Sequence, residues 1–265
     1  MLLIRILTAV IGIPFICVCV YYGNILFYTM MFIVSILCVQ EYLSISKKYN
    51  PHVFVSLIMA AVFFILLCFF KDFSLDKVGV SAVIMMFVFF GVELFNENPD
   101  LCISRIASSF LGAFFIPLTL IHMIYIRNLN KGMEFIFFIF IVVWILDTAA
   151  YAFGKMFGRH KLAKNVSPKK TVEGAAAGII FGVLTAVVCR NIFMNSILTL
   201  KDAVILGIVI AVAGQFSDIA ESLIKRDGNV KDSGKIIPGH GGVFDRFDSY
   251  IFTAPAVYYA LELLR

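Results

Sequence analysis

Charge is scarce in this chain: Asp, Glu, Lys and Arg together make up 15% of its 265 residues, against roughly 25% in an ordinary soluble domain. With 61% hydrophobic residues and a mean hydropathy of +0.97, that scarcity argues against a globular domain with a large core. It points instead to a polytopic α-helical membrane protein. The six cysteines (Cys17, Cys19, Cys38, Cys68, Cys102 and Cys189) form no CxxC pair and lie mostly inside apolar runs. They read as packing residues, not as a disulfide framework or a zinc site. GxxxxGK[ST], HExxH and nucleophile-elbow motifs are all missing, which removes three common routes to phosphate or hydrolytic chemistry. There is no convincing internal repeat, no low-complexity segment and no room for a separate soluble domain. Residues 1–22 lack a convincing A-x-A cleavage site and read as a retained span.

What is present is a series of nine apolar runs, about 2–22, 24–40, 53–70, 78–94, 106–126, 133–153, 174–192, 203–223 and 242–264. Most approach the ~20 residues that cross ~30 Å of hydrocarbon at 1.5 Å per residue; the second, third and fourth are short. Pro14, Pro117 and Pro255 are tolerable inside spans because neighbouring helices can satisfy the freed backbone groups. The expected fold is therefore all-α, with about nine transmembrane helices forming a single transmembrane domain over 1–265. Residues 1–130 read as generic spans, and 131–265 carry the chemistry. The N-terminal end and the even-numbered loops hold 15 of the 22 Lys and Arg, and the odd loops with the C-terminus hold 7. By the positive-inside rule the N-terminus is cytoplasmic, the C-terminus is outside, and the polar loops 154–173 and 225–241 share the cytoplasmic side.

The stretch Ser222–Asp248 packs five Lys/Arg, four Asp, one His and five Gly into 27 residues, a mixture suited to a metal-bound, multiply charged phosphate ligand. Asp147, Asp218 and Glu221 fall within apolar runs, where a charge costs roughly 2.5–3.5 kcal/mol on insertion scales and so lines a polar cavity or pairs. Asp218 lies seven residues before Lys225, about 10 Å along its helix, and Asp147 lies at a similar depth before Lys155. Gln215, Asp218, Ser222 and Lys225 share one helical face, with Glu221 beside it. Asp245 and Asp248 are three apart at the start of the last span and read either as helix-dipole acids or as Mg²⁺ ligands with Asp218. Pro238-Gly239-His240-Gly241-Gly242 would let backbone N–H groups approach a phosphate, flanked by Lys225, Arg226, Lys231 and Asp245. In the other polar loop, six bases from Lys155 to Lys170 read as a lipid-facing anchor. Alternatively, Ser167-Pro-Lys169-Lys170-Thr171 followed by Glu173-Gly174 is an ordered helix start with Thr171 as N-cap, presenting Lys169 and Lys170 to phosphates.

These residues resemble the full signature of the phosphatidate cytidylyltransferase (CDP-diacylglycerol synthase) family: Ser-x-Ile-Lys-Arg, four residues, Lys-Asp-x-Gly, then Pro-x-His-Gly-Gly-x-x-Asp-Arg-x-Asp. Asp147-x-x-x-Tyr151-x-x-Gly154-Lys155 and Ser167–Gly174 are also similar to that family, so the resemblance covers about 143–250. It implies a nine-span fold and the conversion of CTP and phosphatidate to CDP-diacylglycerol and pyrophosphate in phospholipid biosynthesis. It also implies dependence on Mg²⁺, with room for a second cation, a homodimer in the cell membrane among its lipids, and no nucleic-acid partner. On this resemblance Asp218, Asp245 and Asp248 handle metal, with Lys225 and Arg226 catalytic beside them. Asp147, Ser167, Lys169, Lys170, Thr171, Glu173, Ser222, Lys231, His240, Gly241, Gly242 and Arg246 bind substrate. Competing readings are cytidylyl transfer to another lipid phosphate, a CTP-dependent polyprenol kinase, and a cation-coupled transporter using Asp147, Asp218 and Glu221.

Overall fold

The computed structural model describes residues 2–69, 75–96 and 98–264, with side chains from Ile6 onward. Within the charge count, Lys71, Arg265 and the side chain of Arg5 lie outside the described residues. The helices are α1 (Leu2–Tyr22), α2 (Asn24–Ile45, continued by a 3₁₀ turn Ser46–Tyr49), α3 (Val53–Phe69), α4 (Leu75–Glu93), α5 (Cys102–Phe110), α6 (Ile116–Asn128), α7 (Gly132–Phe157), α8 (Val172–Phe193), α9 (Leu200–Asp227) and α10 (Phe244–Leu264). A π-helical segment, Leu111–Phe115, runs α5 into α6, so among the described residues the apolar runs lie on helices except for Leu94, Gly242 and Val243 at their ends. Among the described residues, six of these bodies are long and apolar enough to cross a membrane, and Ile6–Tyr22 and Val53–Phe69 are shorter apolar helices. The protein is an all-α polytopic membrane protein.

One small departure is a two-stranded antiparallel hairpin, β1 (Lys161–Ala163) and β2 (Ser167–Thr171), with Lys161 opposite Thr171. The sequence reading expected Ser167–Thr171 to be a helix start only. Thr171 does cap α8, its Oγ1 accepting from Gly174 N at 3.2 Å, but the four residues before it pair as a strand.

The chain divides into two compact units: residues 1–124 with 227–247, and residues 125–226 with 248–265. In the first, α2 packs closely on the π segment, since a side chain on Gly112 would meet the Tyr42 ring at 2.8 Å. Phe114 stacks on both Phe63 and Phe110. Polar contacts join the connections that the charge count groups together. Lys48 Nζ and Asp227 lie 2.7 Å apart, His52 meets Glu93 at 2.7 Å, and Arg105 pairs with Glu93.

In the second unit, small residues let α7, α8 and α9 approach, as is usual where helices meet in lipid. A Cβ on Gly174 would lie 2.6 Å from Ala150 O, one on Gly178 3.2 Å from the Ala150 side chain, and one on Gly207 2.9 Å from the Ala186 side chain. The glycines at 174, 178 and 182 recur every four residues along α8, which keeps one face of that helix flat. Gln215 Nε2 donates to Ala175 O at 3.2 Å, giving a half-buried amide of α9 a partner on α8.

Candidate functional site

The second unit gathers the acids. Ligand oxygens of Asp218 and Glu221 on α9 and Asp248 on α10 all lie within 4.8 Å of one another. Asp218 and Glu221 are three residues apart and therefore neighbours on α9. Asp248 is positioned from α9 as well: the Ser217 hydroxyl donates to Asp248 O and accepts from Phe252 N at 3.2 Å. That hydroxyl bridges a carbonyl and an amide four residues apart on α10, a known way to open a helical ladder. Pro255 has no N–H to offer the carbonyl of Ile251, so the same stretch of α10 is loosened twice. Ser249 N donates to Asp248 Oδ1 at 2.7 Å.

Two ammonium groups reach the acids. Lys170 Nζ, from the end of β2, lies 2.6 Å from Asp218 Oδ2. Lys225 Nζ lies 2.7 Å from Glu221 Oε2, one helical turn along α9. Three carboxylates with two ammoniums leave one negative charge in a place where Glu221 is 1% exposed. Asp147 on α7 is exposed, yet its charge acts on Asp248. Three carboxylates are the hard oxygen donors that a small divalent cation takes. Around one Mg²⁺ at 2.0–2.1 Å such oxygens are at most ~4.2 Å apart, against a limit of 4.8 Å here, so holding one ion requires the side chains to draw in by about half an ångström.

The hairpin is tied down by its own acid. Glu173 accepts from Arg159 N at 3.0 Å and His160 N at 3.2 Å, and its Oε1 lies 2.6 Å from His160 Nδ1. Arg226 Nε donates to Val166 O at 3.0 Å, clasping the hairpin turn to the end of α9. Glu173, Thr171 and Arg226 thus hold the strand that delivers Lys170. Ser167 and Ser222 are partly buried, and Lys169 is exposed.

The first unit holds the rest of the sequence-derived set. Asp245 Oδ2 accepts from Ser233 N and Gly242 N, both at 2.9 Å, which is the helix-start role; Asp245 is not among the three clustered acids. Gly239 and Gly241 have φ of 77° and 85°, values that favour glycine, and a tight turn closes through Ile237 N to Gly241 O at 2.9 Å. His240 Nδ1 lies 2.6 Å from Thr8 Oγ1, Arg246 Nε donates to His240 O at 3.1 Å, and Lys231 is exposed.

Two residues carry more than their sequence context suggested. Glu221, expected as an acid within an apolar run to line a polar cavity or pair but not placed among the metal ligands, is the most buried acid of the cluster; its i+3 spacing from Asp218 was the available signal. Glu41 on α2 gave no signal at all. It is 4% exposed and accepts from Ser233 Oγ at 2.8 Å, Val243 N at 3.1 Å and Phe244 N at 2.8 Å. A carboxylate from a distant helix thereby satisfies amides at the start of α10 that have no intrahelical partner.

The sequence model of the cytidylyltransferase family matches residues 3–264. Among curated relatives, the phosphatidate cytidylyltransferase of Staphylococcus saprophyticus is 36% identical over 179 residues, covering 66% of each chain. The phosphatidate cytidylyltransferase of Bacillus subtilis is 40% identical over 154 residues, 58% of this chain and 57% of the relative. The one from Staphylococcus epidermidis is 38% identical over 158 residues, 58% and 60% of the two chains. The aligned stretch thus spans less than two thirds of these relatives' length. The match over nearly every residue is what decides the assignment: the chain belongs to the cytidylyltransferase family.

Proposed function

We propose that this protein is a phosphatidate cytidylyltransferase that makes CDP-diacylglycerol and pyrophosphate from CTP and phosphatidate. The observation that carries the reading is the cluster of Asp218, Glu221 and Asp248 with Lys170 and Lys225 at its edge, in a chain of this family. A phosphate oxygen of phosphatidate attacks the α-phosphorus of CTP. The new P–O–P bond forms as the bond from the α-phosphorus to the bridging oxygen breaks, and pyrophosphate leaves with that electron pair. The nucleophile is already an anion, so no proton has to be removed, and the obstacle is repulsion between two anions. Charge neutralisation and positioning answer it.

Asp218, Glu221 and Asp248 would hold a divalent cation, Mg²⁺ in the cell, which supplies positive charge to the triphosphate when bound. Lys170 and Lys225 supply further positive charge, and the Arg226 and Glu173 contacts keep the hairpin in place. Asp245, His240 and the glycine turn shape the loop before α10 within the first unit. The charge bias of the connecting loops supports a cytoplasmic opening, where CTP is available, with the lipid arriving from the membrane. A homodimer belongs to the same reading.

The test is release of pyrophosphate by purified protein given CTP, phosphatidate and Mg²⁺. CDP-diacylglycerol must appear in equal amount. Neither product forming under those conditions, from folded protein, overturns the assignment. Mass measurement of the protein in detergent addresses the dimer separately.

A further inference from the structure

Lys170 and Lys225 occupy the same acid cluster but are held differently. Lys225 and its partner Glu221 are four residues apart on one helix, with side chains 14% and 1% exposed; the helix itself fixes that pair. Lys170 arrives from β2, a separate element, on a four-carbon stem. Its side chain is one-quarter exposed, yet its Nζ is sealed from solvent against Asp218, one of the three acids that fit a metal. An ammonium withdrawn from water in this way is stabilised by the anion it faces, and it occupies an oxygen that a cation would need.

We propose that Lys170 is an exchangeable counter-ion: it neutralises Asp218 while the cluster holds no metal, is displaced when a divalent cation enters, and is thereby released to bind a phosphate oxygen of the substrate. This rests on the function proposed above. Geometry supports it: the Lys170 ammonium and a cation on the cluster would take the same Asp218 oxygen, and two positive charges packed against one carboxylate repel each other. The exposed flank of Lys170 gives its stem room to swing, and the clasp of Arg226 on Val166 O keeps the strand still while the side chain moves. Metal and phosphate binding then become linked, and the linkage is reciprocal: a phosphate ligand that holds Lys170 away tightens the metal, and metal that evicts Lys170 tightens the phosphate.

The experiment measures Mn²⁺ binding by electron paramagnetic resonance in detergent-solubilised full-length protein, with and without pyrophosphate. A single charge within 4–6 Å shifts a neighbouring ionic equilibrium by roughly ten- to a thousandfold. Lys170→Gln should therefore bind Mn²⁺ at least about tenfold more tightly than the wild type without pyrophosphate, and pyrophosphate should tighten it further by much less. Lys170→Arg keeps the charge and should match the wild type in both conditions; it also reports on folding independently of the charge change. Mn²⁺ binding that is unchanged or weaker in folded Lys170→Gln overturns the exchange, while loss of binding in Asp218→Asn leaves the metal site itself standing. If the wild type binds no Mn²⁺, or binds it equally well in Asp218→Asn, the metal assignment falls and the exchange with it.

Discussion

Replacing Glu221 by Ala should destabilise the protein and silence it, and the two effects should separate when Lys225 is replaced as well. The Glu221 side chain is 1% exposed and its Oε2 lies 2.7 Å from Lys225 Nζ. Removing one member of a buried ion pair costs about 3–5 kcal/mol, because the remaining charge is stranded. Lys225 is 14% exposed, and Asp218 and Asp248 stand in the same cluster, so the lower end, about 3 kcal/mol, applies. At ~2–4 °C per kcal/mol for a chain of a couple of hundred residues, the midpoint should fall by roughly 6–12 °C. Glu221→Leu combined with Lys225→Met removes both charges and keeps the volume, which is often neutral or stabilising, so most of the midpoint should return. Turnover should not return in either variant, because an oxygen donor of the cluster is gone. Thermal unfolding in detergent, paired with pyrophosphate release at a temperature where all variants are folded, measures both. A single variant melting with the wild type, or a double variant melting below the single one, would refute this account of the pair.

Three further outcomes follow from contacts described above. Asp218→Asn should lower turnover by at least about a hundredfold, the usual scale for losing one transition-state charge stabiliser, while the protein stays folded and loses less midpoint than Glu221→Ala, because the Lys170–Asp218 pair is a quarter to a third exposed; near-normal turnover would remove Asp218 from the site. Glu41→Ala strands two buried amides and a hydroxyl, at about 1–3 kcal/mol for each unsatisfied group. It should cost several kcal/mol, and proteolysis of the 227–243 loop should report the loosened start of α10. Thr171→Val removes the α8 cap at nearly constant volume and should cost about 0.5–2 kcal/mol, read as a lower unfolding midpoint.

The helical architecture was largely legible because lipid enforces it: a long apolar run has few options other than a helix. The polar face of α9 was legible for a similar reason, since Asp218, Ser222 and Lys225 repeat at helical spacing. The hairpin was not. Ser167–Thr171 has no apolar alternation, and its strand pairing accompanies Glu173 gripping Arg159 and His160, a contact across 13 and 14 residues that no local pattern announces. Asp245 and Asp248 looked equivalent at three residues apart, but Asp245 is engaged by the amides of Ser233 and Gly242. Glu41 was invisible because Ser233, Val243 and Phe244, which it engages, lie about two hundred residues downstream, where only the fold can bring them.

That separation has a consequence for how the protein is made. Glu41 waits 192 residues for Ser233 and 203 for Phe244, which at ~5–20 residues per second is roughly 10–40 s of synthesis. During that interval α2 must enter the bilayer with a carboxyl group whose eventual partners have not left the ribosome. Its place four residues before the end of α2, about 6 Å along the helix, lets the group stay near the headgroups meanwhile. The first unit therefore cannot close in the order in which it is translated. Its early helices stay unfinished until the loop before the last helix emerges, and Glu41 is the latch that records its arrival.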